Sequence, residues 1–329
     1  MKKTALFFVV LICFLLPTAV FAEGRRDRSA AVTGVETVPT RPVRLIVPYA
    51  AGGGTDLIAR MIALRLESII GQPVPIINIG GAGGGLGMED LRTSPADGYT
   101  MGIDIINIWT RKAMGTSGFG PEAFELLAQC GSFYLVQATR NASPFNTMQE
   151  LFAEARRQPD TIQEATNIGA ITHFTILSLM DATNSNLRLV HIGDGAQRIT
   201  AVLGGHVETT LMGTHEVLPF YQAGEMRVLG VTSRNRLPAL PGVPTAVEQG
   251  LDVVQPVGFW FFMPKGTPAN RVNFMTDALE RVMRDPYIIN RMRDLAMDTT
   301  FLRGTEFARH VEVQGRTIMS IAERHNLGR

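Results

Sequence analysis

Two glycine-rich turns hold the residues of this chain whose type and spacing could do chemistry. The first follows the apolar run Val43–Val47 and reads Pro48-Tyr49-Ala50-Ala51-Gly52-Gly53-Gly54-Thr55-Asp56. The second follows Val74–Asn78 and reads Ile79-Gly80-Gly81-Ala82-Gly83-Gly84-Gly85-Leu86-Gly87. A turn that opens a helix presents main-chain N–H groups without an intrahelical partner, at the positive end of the helix dipole. Such a place favours an anion. Glycine there permits a positive φ and lets a ligand approach the backbone closely. Two such turns point to a site that grips a negative group without needing a formal positive charge.

Other chemistries find less support. Neither turn has a G-x-G-x-x-G register or a Gly-Lys-Ser/Thr sequence after it, as nucleotide sites require. The six histidines are scattered, and His215-Glu216 has no second His at helical spacing. No Gly-x-Ser-x-Gly elbow occurs. No enzyme, metal or cofactor is therefore expected. A formal net charge of +1 leaves no electrostatic footprint for nucleic acid.

The 329 residues, 45% of them apolar, suffice for two domains of ordinary size. Residues 1–22 read as a secretory signal. Lys2 and Lys3 precede the apolar run Ala5–Leu16, and Val20-Phe21-Ala22 sets cleavage before Glu23. The apolar run falls short of the roughly 20 residues that span a bilayer. A lipoprotein anchor at Cys13 is disfavoured because Ile12 stands where a small residue is wanted. Cleavage takes the formal charge from +1 to −1 by removing Lys2 and Lys3. It leaves Cys130 alone, so no intramolecular disulfide can form, and Cys130 reads as a small packed residue.

Residues 23–41 read as a flexible tether. Beyond it, strand and helix patterns alternate, which predicts an α/β fold with mostly parallel sheets and helices on both faces. Thr55 or Asp56 is expected to cap a helix with Leu57, Ile58, Met61, Ile62, Leu66, Ile69 and Ile70 along one face, ended by Gly71-Gln72-Pro73. Strands are expected at Tyr99–Ile106, Phe133–Ala138, Leu187–Ile192, Val207–Met212, Arg227–Thr232 and Val254–Pro264. Thr147, Pro268 and Thr305 are expected to start helices. Trp260 and its neighbouring phenylalanines read as core. The organisation predicted is lobe 1 from 42–140 plus 255–329, lobe 2 from 141–254, and a ligand cleft between them.

The motifs Pro48–Asp56, Asn78–Gly84 and Pro95-Ala96-Asp97-Gly98-Tyr99-Thr100 resemble those of the tripartite tricarboxylate transporter substrate-binding proteins, the Bug or TctC family. Leu203-Gly204-Gly205-His206-Val207, Ala223–Arg227, Leu240–Thr245 and Pro264–Pro268 follow in the family's order. The resemblance covers nearly the whole mature chain. It implies a two-lobed periplasmic binding protein of the type II, Venus-flytrap kind. Such proteins bind small organic anions and deliver them to a carrier of one large and one small integral membrane subunit, driven by an ion gradient. A monomer is expected. A ligand sensor feeding a kinase or chemoreceptor is the alternative reading.

The resemblance implies a site in which Tyr49, Gly53, Gly54 and Thr55 form one wall and Ala82, Gly83 and Gly84 a second. Asp56 and Asn78 would brace these loops. Lobe 2 would contribute Gly169, Ala170, Thr172 and His173, with Asp194 and the Gly213-Thr214 turn beside them. Three or four charge-assisted main-chain bonds at about 1.5–3 kcal/mol each suffice for roughly micromolar affinity. The family often carries a basic residue and Pro after the Asn of the second turn, and Tyr-Lys-Gly-Gly where this chain has Ile192-Gly193-Asp194-Gly195. The missing cation and the added Asp194 leave both a carboxylate and an amino acid open as ligand, with Asp194 or Glu216 as partner to a cationic end.

Overall fold

The computed structural model describes residues 38–193 and 195–328. The signal segment 1–22, the tether up to residue 37, and Asp194 lie outside them. The last residues of the expected tether are anchored. Pro39 is buried, the Thr40 N–H donates to the Tyr99 hydroxyl at 3.2 Å, and Arg41 pairs with Asp97 at 2.8 Å.

The chain opens with β1 (Arg44–Val47), α1 (Gly54–Ile70), β2 (Ile76–Asn78), α2 (Gly85–Thr93), β3 (Thr100–Asp104) and α3 (Asn107–Ala113). The helix at α1 follows its apolar period, with Ile58, Met61, Ile62, Leu66 and Ile70 buried and Ile69 half-buried, but Leu57, expected on the same face, is exposed. Its N-cap is Gly53, not Thr55 or Asp56. Asp56 lies in the first turn, and its carboxylate reaches back to the Gly52 N–H at 2.8 Å. Gly71 ends the helix at φ +69°, a conformation that costs glycine little.

Next comes β4 (Phe124–Arg140), 17 residues long, of which the sequence pattern shows only the last part. The run Leu127–Gly131 mixes polar and apolar residues because β4 is covered on both sides, and Gln129 and Cys130 are buried there. Then follow α4 (Met148–Arg157), β5 (Gln163–Thr166), α5 (Ile171–Thr183), β6 (Arg188–His191), α6 (Gly195–Leu203), β7 (Thr209–Gly213), α7 (Thr214–Gln222) and β8 (Met226–Val231). Thr147 caps α4, accepting the Glu150 N–H at 3.1 Å. The chain closes with β9 (Pro256–Pro264), α8 (Ala269–Met283), α9 (Pro286–Asp294), β10 (Asp298–Arg303) and α10 (Gly304–Arg324). The N-cap of α10 is Arg303 rather than Thr305.

The strands form a mixed sheet in the order β2-β1-β3-β9-β4-β7-β5-β6, with β8 and β10 also on β4. Pairing is parallel within β2-β1-β3 and within β6-β5-β7. It is antiparallel wherever β4 or β9 takes part. The long β4 joins the two groups: Phe124–Tyr134 pairs with β9, and Leu135–Arg140 with β7 and β8. The larger core runs from α1 and β1 through Phe259–Phe262 and on to Leu151, Phe152 and Phe174. A smaller one gathers Val136, Val202, Met212, Val217 and Val231. Trp260 is fully buried, with its indole N–H on Gln129 Oε1 at 3.0 Å and its ring edge-on to Phe307.

This topology places the carboxyl ends of β1, β2 and β3 opposite those of β5, β6 and β7. Open α/β sheets hold ligands beyond such ends. The turns found there are the two glycine turns on one side and, on the other, the starts of α5, α6 and α7.

Candidate functional site

The first turn is held by its own acid. The Asp56 carboxylate accepts from the Gly52 N–H at 2.8 Å, from Arg60 Nε at 2.8 Å and from Asn78 Nδ2 at 2.9 Å. Burial pushes Asp56 up, but the Arg60, Gly52 and Asn78 donors outweigh it and keep the carboxyl below its usual value. Asn78 also donates to the Tyr49 carbonyl at 3.1 Å, so the first turn is tied to the end of β2. With Asp56 so engaged, the Gly53, Gly54 and Thr55 N–H groups at the start of α1 make no hydrogen bond among the described residues.

The second turn rests on a buried ion pair that the sequence reading missed. Asp104, at the end of β3, and Arg111, on α3, pair with both side chains almost fully buried. Arg111 also donates to the Gly83 carbonyl at 2.8 Å. Burial opposes the Arg111 charge, and Asp104, then Tyr49, outweigh it and raise its pKa. The Tyr49 hydroxyl donates to Asp104 at 2.6 Å and accepts from Asn107 Nδ2 at 3.2 Å. Burial and the neighbouring Asp104 charge hold Tyr49 well above its usual value. Gly84 turns inward at φ +94°, where a Cβ would press on Arg111 and on the Pro48 carbonyl. The exposed Ala82 and Gly83 keep unpartnered N–H groups. The signal available in the sequence was Asp104 itself, a charge ending an apolar strand and therefore in need of a partner.

The opposite side is built from α5, α6 and α7. Asn107 Oδ1 accepts the Ile171 N–H at 2.9 Å, and Gly169 lies against Met114. The Gly169 N–H donates to His173 Nδ1 at 3.3 Å, and the Ala170 N–H to the Asn167 carbonyl at 2.9 Å. Burial, with His325 nearby, lowers His173 to about 4, so a neutral imidazole braces this turn. The Thr172 hydroxyl accepts from Thr166 at 3.2 Å. The Gly213 N–H donates to Glu216 Oε2 at 2.9 Å, and the Thr214 hydroxyl to the Ala296 carbonyl at 3.1 Å. His215 reaches across: a Cβ on Gly54 would collide with its Nε2, and its ring packs edge-on to Phe133 at 4.9 Å.

Apart from Thr172, which accepts from Thr166, and His173, which accepts from Gly169, the expected site residues among those described separate into two sets. Gly53, Gly54, Thr55, Ala82 and Gly83 offer free main-chain N–H groups. Tyr49, Gly84, Gly169, Ala170, Gly213 and Thr214 have the groups expected to meet a ligand engaged within the chain, because each closes a turn or links two elements. Asp56 and Asn78 sit beneath the first turn. Asp104, Asn107, Arg111 and His215 complete the region. Among the described residues no three His, Cys, Asp or Glu side chains are placed to hold a metal ion, and no helix is long and apolar enough to cross a membrane.

Residues 58–327 match the family described as the tripartite tricarboxylate transporter family receptor. Protein BugT of Bordetella pertussis is 27% identical over 268 residues, which cover 79% of this chain and 82% of BugT. The structure of the periplasmic binding protein BugD is similar at a TM-score of 0.80 with 27% identity, covering 88% of this chain and 99% of that one. An R. palustris protein solved with adipate is similar at a TM-score of 0.80 with 26% identity, covering 87% of this chain and 98% of that one.

Proposed function

The chain belongs to the tripartite tricarboxylate transporter receptor family, periplasmic solute-binding proteins rather than enzymes, and from this premise we propose that it captures a small organic acid by its carboxylate. Capture takes place in the gap between the glycine turns and the α5–α7 side. The acid is then delivered to an ion-gradient-driven carrier with a large and a small integral membrane subunit. The observation that carries the reading is the set of unpartnered N–H groups on Gly53, Gly54, Thr55, Ala82 and Gly83, at two neighbouring turns that Asp56, Asn78 and Arg111 hold in place. The adipate-bound relative supports a carboxylate ligand.

A carboxylate on these donors gains charge-assisted bonds of about 1.5–3 kcal/mol each. The N-terminus of α1 adds about 0.3–1 kcal/mol. The turns touch across the gap where His215 meets Gly54, so entry requires the two strand groups to part as lobes. The junction at β4 and β9 would serve as the hinge.

A thermal-shift screen of organic acids against residues 23–329 tests the proposal, because a ligand stabilises with the logarithm of its concentration over Kd. Gly53→Val should abolish the shift and leave the unliganded Tm nearly unchanged. Gly53 is exposed at φ −75°, and a Cβ there meets only the Ala50 carbonyl, at 3.6 Å. Gly83 is a poorer choice, since its φ of +61° would add backbone strain. An organic acid that stabilises wild type and Gly53→Val equally would remove the first turn from the site.

A further inference from the structure

We propose that Glu216 selects ligands with a single carboxylate, the far end being uncharged or cationic, by standing where a second ligand carboxylate would bind. The inference rests on the carboxylate reading of the first turn and goes on to specify the ligand class. Three helices begin on the side facing the glycine turns; the first N–H of α5 is taken by Asn107 Oδ1, which leaves α6 at Gly195 and α7 at Thr214. Their N-termini are the places where that side could hold an anion. Glu216 reaches both. Its Oε2 accepts the Gly213 N–H at 2.9 Å. Its Oε1 lies against Gly195, so closely that a Cβ there would collide with it. One carboxylate of the chain's own thus caps the start of α7 and lies against the first residue of α6, and a ligand carboxylate arriving beside it meets repulsion. An ammonium group meets attraction.

His215, the preceding residue, faces the other way. Successive residues on a helix point about 100° apart, so His215 turns to Gly54 while Glu216 turns to Gly195. Neither ring nitrogen of His215 has a hydrogen-bond partner among the described residues, and Nδ1 is fully buried. A buried polar group without a partner is uncommon and calls for one. The Nε2 edge stands against Gly54, the first residue of α1. With the lobes parted enough to admit a carboxylate there, an imidazole N–H donates to the same oxygens. The two neighbours thereby give the gap polarity: a donor side at α1 for the carboxylate, and an acidic side at α6 for whatever follows it.

The test is a titration of residues 23–329 with matched acids of four to six carbons. At each length three far ends are compared: methyl, carboxylate and ammonium, as in hexanoate, adipate and 6-aminohexanoate. Wild type should bind the methyl- and ammonium-ended members roughly tenfold or more tighter than the dicarboxylate. Glu216→Gln keeps an acceptor for the Gly213 N–H and removes the charge. It should close that gap by raising dicarboxylate affinity and lowering that of the ammonium-ended acid. If the dicarboxylates bind wild type as tightly as the monocarboxylates, while Gly53→Val abolishes all binding, the selection by Glu216 is wrong and the carboxylate site stands. The same holds if Glu216→Gln leaves the ratios unchanged. If no member of the series binds, or Gly53→Val binds them all, the carboxylate site itself fails and the selection with it. The wild-type ladder decides the matter even if Glu216→Gln folds poorly.

Discussion

Asn107 Oδ1 accepts the Ile171 N–H at 2.9 Å, which fastens the start of α3 to the start of α5 across the two strand groups. The same side chain donates to the Tyr49 hydroxyl at 3.2 Å, so a single amide links the first glycine turn, the buried ion pair behind it and the facing helix. Asn107→Ala orphans a buried N–H and removes a partner of Tyr49. Urea unfolding should show a loss of about 1–3 kcal/mol. A variant within 0.5 kcal/mol of wild type, a surface-like change, would show that this link contributes little.

Arg111 and Asp104 should behave as an inseparable pair. Arg111→Met leaves the Asp104 carboxylate buried and frees the Gly83 carbonyl. Breaking a buried pair on one side costs about 3–5 kcal/mol. The double variant Asp104→Asn/Arg111→Met should recover most of that loss, since no lone charge remains. Denaturant titration of the three variants checks the expectation, and equal losses in single and double variants would contradict it.

The pH dependence of stability above neutrality should report Glu164. This residue of β5 is fully buried. Burial raises its carboxyl to about 8, against the hydrogen bonds from Gln137 and the Leu211 N–H. The native state therefore holds a proton that the unfolded chain releases near pH 4.5, and stability falls as pH rises toward 8. His173 acts with the opposite sign: its folded value of about 4 means that stability is lost as pH falls from about 6.5 through 4. The two oppose each other in acid and separate between pH 6.5 and 8. In that window Glu164→Gln should flatten the decline in chemical-denaturation stability seen for wild type. An unchanged slope would show that the carboxyl titrates near its ordinary value.

Cys130 should be silent to thiol reagents in the native protein. It is fully buried on β4, and burial pushes its thiol well above the usual range. Residues 23–329 contain no other cysteine. A disulfide reagent should label one thiol per chain in denaturant and essentially none without it, and rapid native labelling would contradict the placement.

Local chemistry carried much of this fold into view. Glycine turns after short apolar runs, the helical period of Ile58 to Ile70 and the Thr147 cap all depend on residues close in sequence, and the structure has each of them. What stayed hidden depends on distant partners. The first part of β4 lacks an alternating pattern because it lies between β9 and β10 in the sheet while α8 and α10 pack against it. Asp104 and Arg111 look like unrelated charges until α3 folds back over the second turn. The capping role assigned to Thr55 or Asp56 failed because Gly53 already has the extended N-cap conformation, leaving Asp56 free to reach Gly52.

The sequence by itself determined where free N–H groups can exist, since glycine at a strand–helix turn fixes that through backbone sterics and the geometry of a helix start. Only the tertiary structure decided which of them remain free. Gly84, Gly169, Ala170 and Gly213 spend theirs on acceptors within the chain, while Gly53, Gly54, Thr55, Ala82 and Gly83 keep theirs. A hydrogen bond has one donor and a short reach, and which acceptor comes within that reach is settled by how the elements pack.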